Sequence, residues 1–156
     1  MESSTFRRDT PWAMSEENVE LIRRWYLLLP DLRDLNPDDE REWTDQVFRD
    51  YLDEEFELRL PDYPEGEPVF RGRDGADQFI ATLREVWREY RFEPERFLDA
   101  GERVVVLARI VGKGAASGAP FELEVTHVWT IHAGRAISMH AYRDRSQALE
   151  AAGLSE

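Results

Sequence analysis

FELEVTHVWTI, Phe121–Ile131, is the stretch whose reading decides the fold. Every second residue of it, Phe121, Leu123, Val125, His127, Trp129 and Ile131, is large and apolar except for one histidine. The other parity, Glu122, Glu124, Thr126, Val128 and Thr130, is mostly polar. Such a period of two predicts a strand with one buried face. A titratable imidazole therefore stands in the middle of the buried row.

The neighbouring segments read the same way. HAGR, His132–Arg135, is a tight turn, and AISMHAY, Ala136–Tyr142, is the next strand. Upstream, RVVVLARIV, Arg103–Val111, is a strand apolar on both faces, followed by the glycine-rich turn GKGAASGAP. Phe92–Leu98 is a further strand candidate before the turn DAGER. The N-terminal half is helical. Val19, Ile22, Tyr26 and Leu29 recur at helical spacing after Ser15, a good N-cap, and Pro30 stops that helix. Asn36 and Pro37 open a second helix to about Tyr51, on which Trp43, Val47 and Tyr51 share a face. FELRL, Phe56–Leu60, alternates as a short strand, and a Pro/Gly-rich loop follows it. A third helix starting after Asp74 carries Phe79, Ile80, Leu83, Val86, Trp87 and Tyr90 as one stripe. Asp144 caps a short terminal helix.

Helices first and then a meander of strands make an α+β domain, with the helices on one face of a curved antiparallel sheet. Residues 1–13 read as a disordered tail and residues 14–156 as one domain. Both parities of Val104–Val111 are apolar, so the strand needs cover on its second face. A second copy of the chain, making a homodimer through the outer sheet face, is the simplest cover. Burial within one chain by the end helices is the other.

Composition narrows the function classes. A formal net charge of −13 argues against a general nucleic-acid surface and against docking on anionic lipid. There is no cysteine, so thiolate chemistry and disulfides are absent. No apolar run approaches the roughly 20 residues that span a bilayer, and the N-terminus lacks a signal-peptide core. A cytoplasmic location is the resulting expectation. No histidine–carboxylate spacing suits a metal and no glycine turn sits in a nucleotide-loop context, so neither metal nor cofactor is expected.

MSEENVELIRRWY (14–26), FRGRDGADQF (70–79) and the run from Phe97 to Leu154 resemble the SnoaL-like branch of the nuclear transport factor 2-like superfamily. The resemblance spans about residues 14–154; the segment around 30–42 looks like an addition. It implies a cone-shaped barrel with a deep pocket between helix and concave sheet. The family includes ketosteroid isomerase, polyketide cyclases, epoxide hydrolases, a dehydratase and non-catalytic binding proteins. The implied function is cofactor-independent acid/base chemistry on a hydrophobic small molecule: isomerisation, cyclisation, dehydration or epoxide hydrolysis. Ligand binding without turnover is the alternative. An acid close to His127 inside the cavity would favour the enzyme; a dry, apolar cavity would favour binding.

Set against ketosteroid isomerase, His127 takes the place of that enzyme's protonated aspartate and Tyr26 that of its oxyanion tyrosine. His127 would donate a hydrogen bond or act as base; a core histidine with a structural partner is the competing reading. Tyr26 is equally a core aromatic. Counted from LDEEF, Arg59 falls near the isomerase's catalytic aspartate, and an arginine does not deprotonate in proteins. Glu57 and Asp62 are the neighbouring acids, neither in line without a shift, and Asp62, in the loop with Pro61 and Pro64, could enter the pocket. Arg109 would face the pocket as an electrostatic stabiliser or snorkel to the rim, and Arg143 invites the same two readings. Trp129, Met139, Trp87 and Phe79 are pocket wall, with Arg59 and Arg143 as further substrate contacts. His132 falls in a turn and His140 on the outward parity.

Overall fold

The computed structural model describes residues 11–31, 34–60 and 69–154. Helix α1 (Pro11–Leu28) and helix α2 (Pro37–Asp50) come first. Strands β1 (Leu52–Arg59) and β2 (Val69–Arg71) and helix α3 (Gly72–Val86) follow. Strands β3 (Trp87–Ala100), β4 (Arg103–Gly114), β5 (Pro120–His132) and β6 (Arg135–Tyr142) lead into helix α4 (Arg145–Ala151). The α+β class and the strand meander are as the sequence predicts. The sheet runs β2-β1-β6-β5-β4-β3. It is mixed rather than wholly antiparallel, because β1 lies parallel to β6. It is also open: α3 packs on β1 and β2 at one end and on β3 at the other, and so bridges the two edges of the cone.

Two boundaries differ from the sequence reading. Helix α1 begins at Pro11, a residue pre-set for a first helical turn, and not at Ser15. Ser15 is inside the helix and buried, and its hydroxyl donates to Asp99 Oδ2 at 2.7 Å, which ties α1 to the end of β3. The remaining tail, residues 1–10, lies outside the described residues. Helix α3 ends at Val86 instead of running to Tyr90. Trp87 and Tyr90 belong to the fourteen-residue strand β3, where they pair with Gly114 and Gly112. Aromatic residues accept either period, and the long ladder to β4 decides for the strand. The caps at Asn36 and Asp144 form as expected: Asn36 accepts from the Asp39 N–H at 2.8 Å and Asp144 from that of Gln147 at 3.2 Å.

The register explains the curvature. The irregularity between Trp87 and Glu89 lets Trp87 and Tyr90 both reach the inner side, and that between Pro94 and Arg96 does the same for Phe92 and Phe97. A bulge of this kind strengthens the twist and bends its strand. Gly112 permits the close approach there, since a side chain on it would run into the Glu89 carbonyl.

The two faces of β4 have separate covers. Val104, Val106 and Ala108 join the main core with α1, α2, β1, β5 and β6. Val105 and Leu107, with Val128, pack against Ala148, Leu149 and Ala152 of the C-terminal segment. The chain's own α4 thus covers Val105 and Leu107, which are 0% and 5% exposed. Arg135 adds a tie that the sequence did not advertise: its guanidinium donates to the carbonyls of Phe48, Arg49 and Leu52 at the C-terminus of α2, where a cation suits the helix dipole.

Candidate functional site

The concave face of the sheet and helices α1–α3 enclose a cavity of about 1020 Å³. Its wall is mostly aromatic and aliphatic, the usual character of a small-molecule pocket. Trp129, Met139, Trp87 and Phe79 all line it, as the sequence predicts. Trp87 stacks on Phe121 with ring centroids 4.2 Å apart, and Phe79 meets Phe70 edge-on at 5.7 Å. The charged residues of the lining, Asp31, Asp34, Glu89 and Arg91, are all exposed and so belong to the mouth. Arg91 is held by Glu93 at 3.0 Å.

At the floor, the buried row of β5 does bring its histidine to the cavity: His127 is 2% exposed and lines it. It pairs across the sheet with Val106 on β4 and Ala141 on β6. Helix α1 places Tyr26 over it, 101 residues away in sequence, with the hydroxyl 2.5 Å from His127 Nδ1. Trp129, two residues along β5 and so on the same face, donates its indole N–H to the Tyr26 oxygen at 3.1 Å. Phe92 stands edge-on to the imidazole at 4.9 Å and Phe97 to the phenol at 5.8 Å.

This surrounding of rings sets the protonation states. Burial pushes the His127 imidazole down to about 3, because the charged form loses its hydration. The imidazole is therefore neutral at physiological pH. Burial likewise raises the Tyr26 phenol, so it keeps its proton; the Trp129 bond opposes this less strongly. The direction of the chain then follows. An indole N–H is a donor only, so it occupies a lone pair of the Tyr26 oxygen. The phenol's own proton goes to His127 Nδ1, the acceptor within reach. Nδ1 must be unprotonated to accept it, which puts the imidazole proton on Nε2. The Tyr26 bond is the hydrogen bond His127 makes among the described residues, so its Nε2–H is left to the cavity it lines.

Other predicted residues fall elsewhere. Arg109 sits on the outer parity of β4, bonded to Glu122 and 3.6 Å from Glu95, and is not part of the cavity wall. Its neighbours Val105 and Leu107 share the α4 side, which is why parity with them leads outward. Arg59 also points away from the cavity, with Glu57 at 3.4 Å; Leu58 and Leu60 face inward in its place. Arg143 is exposed beyond the end of β6 and outside the lining. Asp62 lies outside the described residues. His132 is exposed, and His140 stacks on Tyr142 on the outer face, both as expected.

The sequence reading missed Trp25 and Trp43. Both line the cavity, their rings 6.5 Å apart, and each has a buried indole N–H without an acceptor among the described residues. Trp43 was legible as an apolar helix position; nothing in the sequence distinguished its N–H from that of Trp129. Among the described residues there is no group of three metal-ligating side chains, and no helix is long and apolar enough to cross a membrane.

Comparison with known proteins accords with this geometry. The model of the SnoaL-like domain matches residues 39–139, well over half of the chain. The chain belongs to the SnoaL-like family. Solved structures share its fold. An NTF2-like protein of unknown function from Burkholderia pseudomallei is 24% identical, with 86% of this chain and 95% of that one covered and a TM-score of 0.63. A putative SnoaL-like polyketide cyclase from Jannaschia is 24% identical over 88% of this chain and 91% of that one, with a TM-score of 0.61. TerC, co-crystallised with polyporic acid, is 22% identical over 88% and 98%, with a TM-score of 0.62. Among curated proteins none matches. In this SnoaL-like chain the residues that the resemblance paired, Tyr26 and His127, are brought into contact, while the position expected to hold a proton-abstracting acid turns out to face away from the cavity.

Proposed function

We propose that this SnoaL-like protein binds a hydrophobic ring compound bearing a carbonyl oxygen and activates that carbonyl for isomerase- or cyclase-type chemistry. The observation that carries this reading is the Trp129–Tyr26–His127 chain, which ends in a neutral N–H donor at the floor of an aromatic cavity. A carbonyl oxygen accepting from His127 Nε2–H becomes more electrophilic. As an enolate forms, charge grows on that oxygen, and a donor already aimed at it gains strength among apolar rings. The chain behind it helps. Tyr26 draws electron density from Nδ1, and each bond polarises the next. His127 serves as donor and not as general base, since an imidazole with a conjugate acid near 3 takes up a proton poorly at neutral pH. Two proteins that share the fold, a putative polyketide cyclase and one co-crystallised with polyporic acid, accord with a small organic ligand.

A second reading, binding without turnover, is favoured by one observation. Among the described residues the carboxylates of the lining are exposed ones at the mouth, and none bonds to His127. Proton abstraction needs such a group, and Asp62 is the residue that the sequence offers for it.

A matched pair of probes tests the proposal. Fluorenone and fluorene share a tricyclic skeleton and differ by the carbonyl. Tryptophan fluorescence titration should show the ketone binding about tenfold more tightly, as one net hydrogen bond allows, and the His127→Leu variant should bind both alike. Equal binding of the pair by the parent protein overturns the reading. Exchange of the α-protons of 2-tetralone in D2O, followed by NMR, separates turnover from binding alone.

A further inference from the structure

We infer that Trp129 is a positioning residue that sets the tautomer of His127 through Tyr26, and thereby makes the floor of the cavity a hydrogen-bond donor. The inference rests on the reading that His127 meets the ligand. Trp129 is 1% exposed, and its indole N–H is committed to the Tyr26 oxygen at 3.1 Å. The contrast with Trp25 and Trp43 is informative. All three line the same cavity; among the described residues the N–H groups of Trp25 and Trp43 have no acceptor, whereas that of Trp129 is directed at the oxygen that touches His127.

The effect works by removing a choice. A phenol both donates and accepts, and a neutral imidazole nitrogen does one or the other. With Trp129 donating to it, the Tyr26 oxygen already has its donor. What the hydroxyl still lacks is an acceptor, and His127 Nδ1, 2.5 Å away, becomes that acceptor. The proton is then held at Nε2. Without the indole N–H, Tyr26 lacks a donor and an acceptor equally. His127 can then serve as either, with Nδ1–H donating to the phenol and a bare Nε2 turned to the cavity. A bare Nε2 repels a carbonyl oxygen and suits an N–H or O–H group of the ligand instead. One indole proton behind the site thus selects between acceptor and donor ligands.

Long-range ¹H–¹⁵N spectra of the imidazole side chains read the tautomer directly and need no ligand. At pH 7.5 His127 of the parent protein should show a pyridine-type Nδ1 and a pyrrole-type Nε2, with that tautomer favoured roughly tenfold or more, the ratio a net hydrogen-bond difference sets. Trp129→Phe should bring the two tautomers to within about threefold of each other. Should that variant fail to fold, benzothienylalanine at position 129 keeps the bicyclic shape and removes the N–H, with the same shift expected. A parent spectrum with a protonated Nδ1, or an unchanged tautomer ratio when the indole N–H is gone, overturns the inference. The ketone preference of the parent protein is a separate measurement. Its absence beside the expected tautomer shift would refute the functional reading and leave the role of Trp129 standing.

Discussion

The two faces of the β4–β5 pair treat polar groups in opposite ways. On the inner face, His127 and Tyr26 are buried among rings, carry no charge and are ordered by a chain of directed hydrogen bonds. On the outer face, Arg109 answers Glu122 and Glu95 at the solvent boundary. The two faces share these strands: His127 on β5 faces inward and Arg109 on β4 faces outward. The difference teaches that burial among rings keeps the inner imidazole neutral, while solvent at the outer face keeps its ions charged. Water keeps the outer ions solvated and their pairing worth little. Burial among rings makes each directed bond inside consequential.

The sharpest way to break the comparison is to empty the inner face. Trp129→Ala removes the largest fully buried side chain together with the donor to Tyr26. It should cost about 3–5 kcal/mol in a denaturant melt; a loss below 1 kcal/mol would mean that the inner face is not close-packed.

Acid probes the same face through charge. The folded His127 is held near 3, below the ordinary histidine value, so the unfolded chain binds the proton first. The contribution is complete above the unfolded value of about 6.5 and is lost as pH falls toward 3, at about 1.4 kcal/mol per pH unit. Between pH 6.5 and 4 the parent protein should lose about 3 kcal/mol relative to His127→Leu. Parallel melts of the two proteins isolate this from the many carboxylates, and parallel curves would show that His127 is not buried neutral.

Smaller still is the cost of His127→Leu itself at pH 7.5. It strands the Tyr26 hydroxyl, and a loss of about 1–3 kcal/mol is expected. No loss would mean that the phenol finds another acceptor. The least effect belongs to the outer face: Arg109→Ala should leave both the melt and any ligand affinity unchanged within error. A loss of ligand binding there would return Arg109 to the site and undo the separation of faces.

Much of this was readable before folding. The alternation of Phe121–Ile131 named its inner row correctly, the caps at Asn36 and Asp144 stood where they form, and the matching outward parity of His140 followed from Met139. These are local signals: a period or a cap depends on residues a few positions apart. The end of α3 was not legible, because Trp87 and Tyr90 satisfy a helical period and a bulged strand alike. The facing of Arg109 was not legible either. Both parities of β4 are apolar, and which one is inner depends on where α4 docks.

The sequence by itself determined the α+β class, the inward row that carries His127, and an aromatic wall around it. Only the tertiary structure decided what His127 is. Tyr26 comes from a helix 101 residues away and Trp129 from the same strand, and their meeting sets the direction of every proton in the chain. A hydrogen bond depends on distance and orientation between groups that no pattern along the chain encodes, so the chemistry of the site appears only when the sheet curls and α1 lies across it.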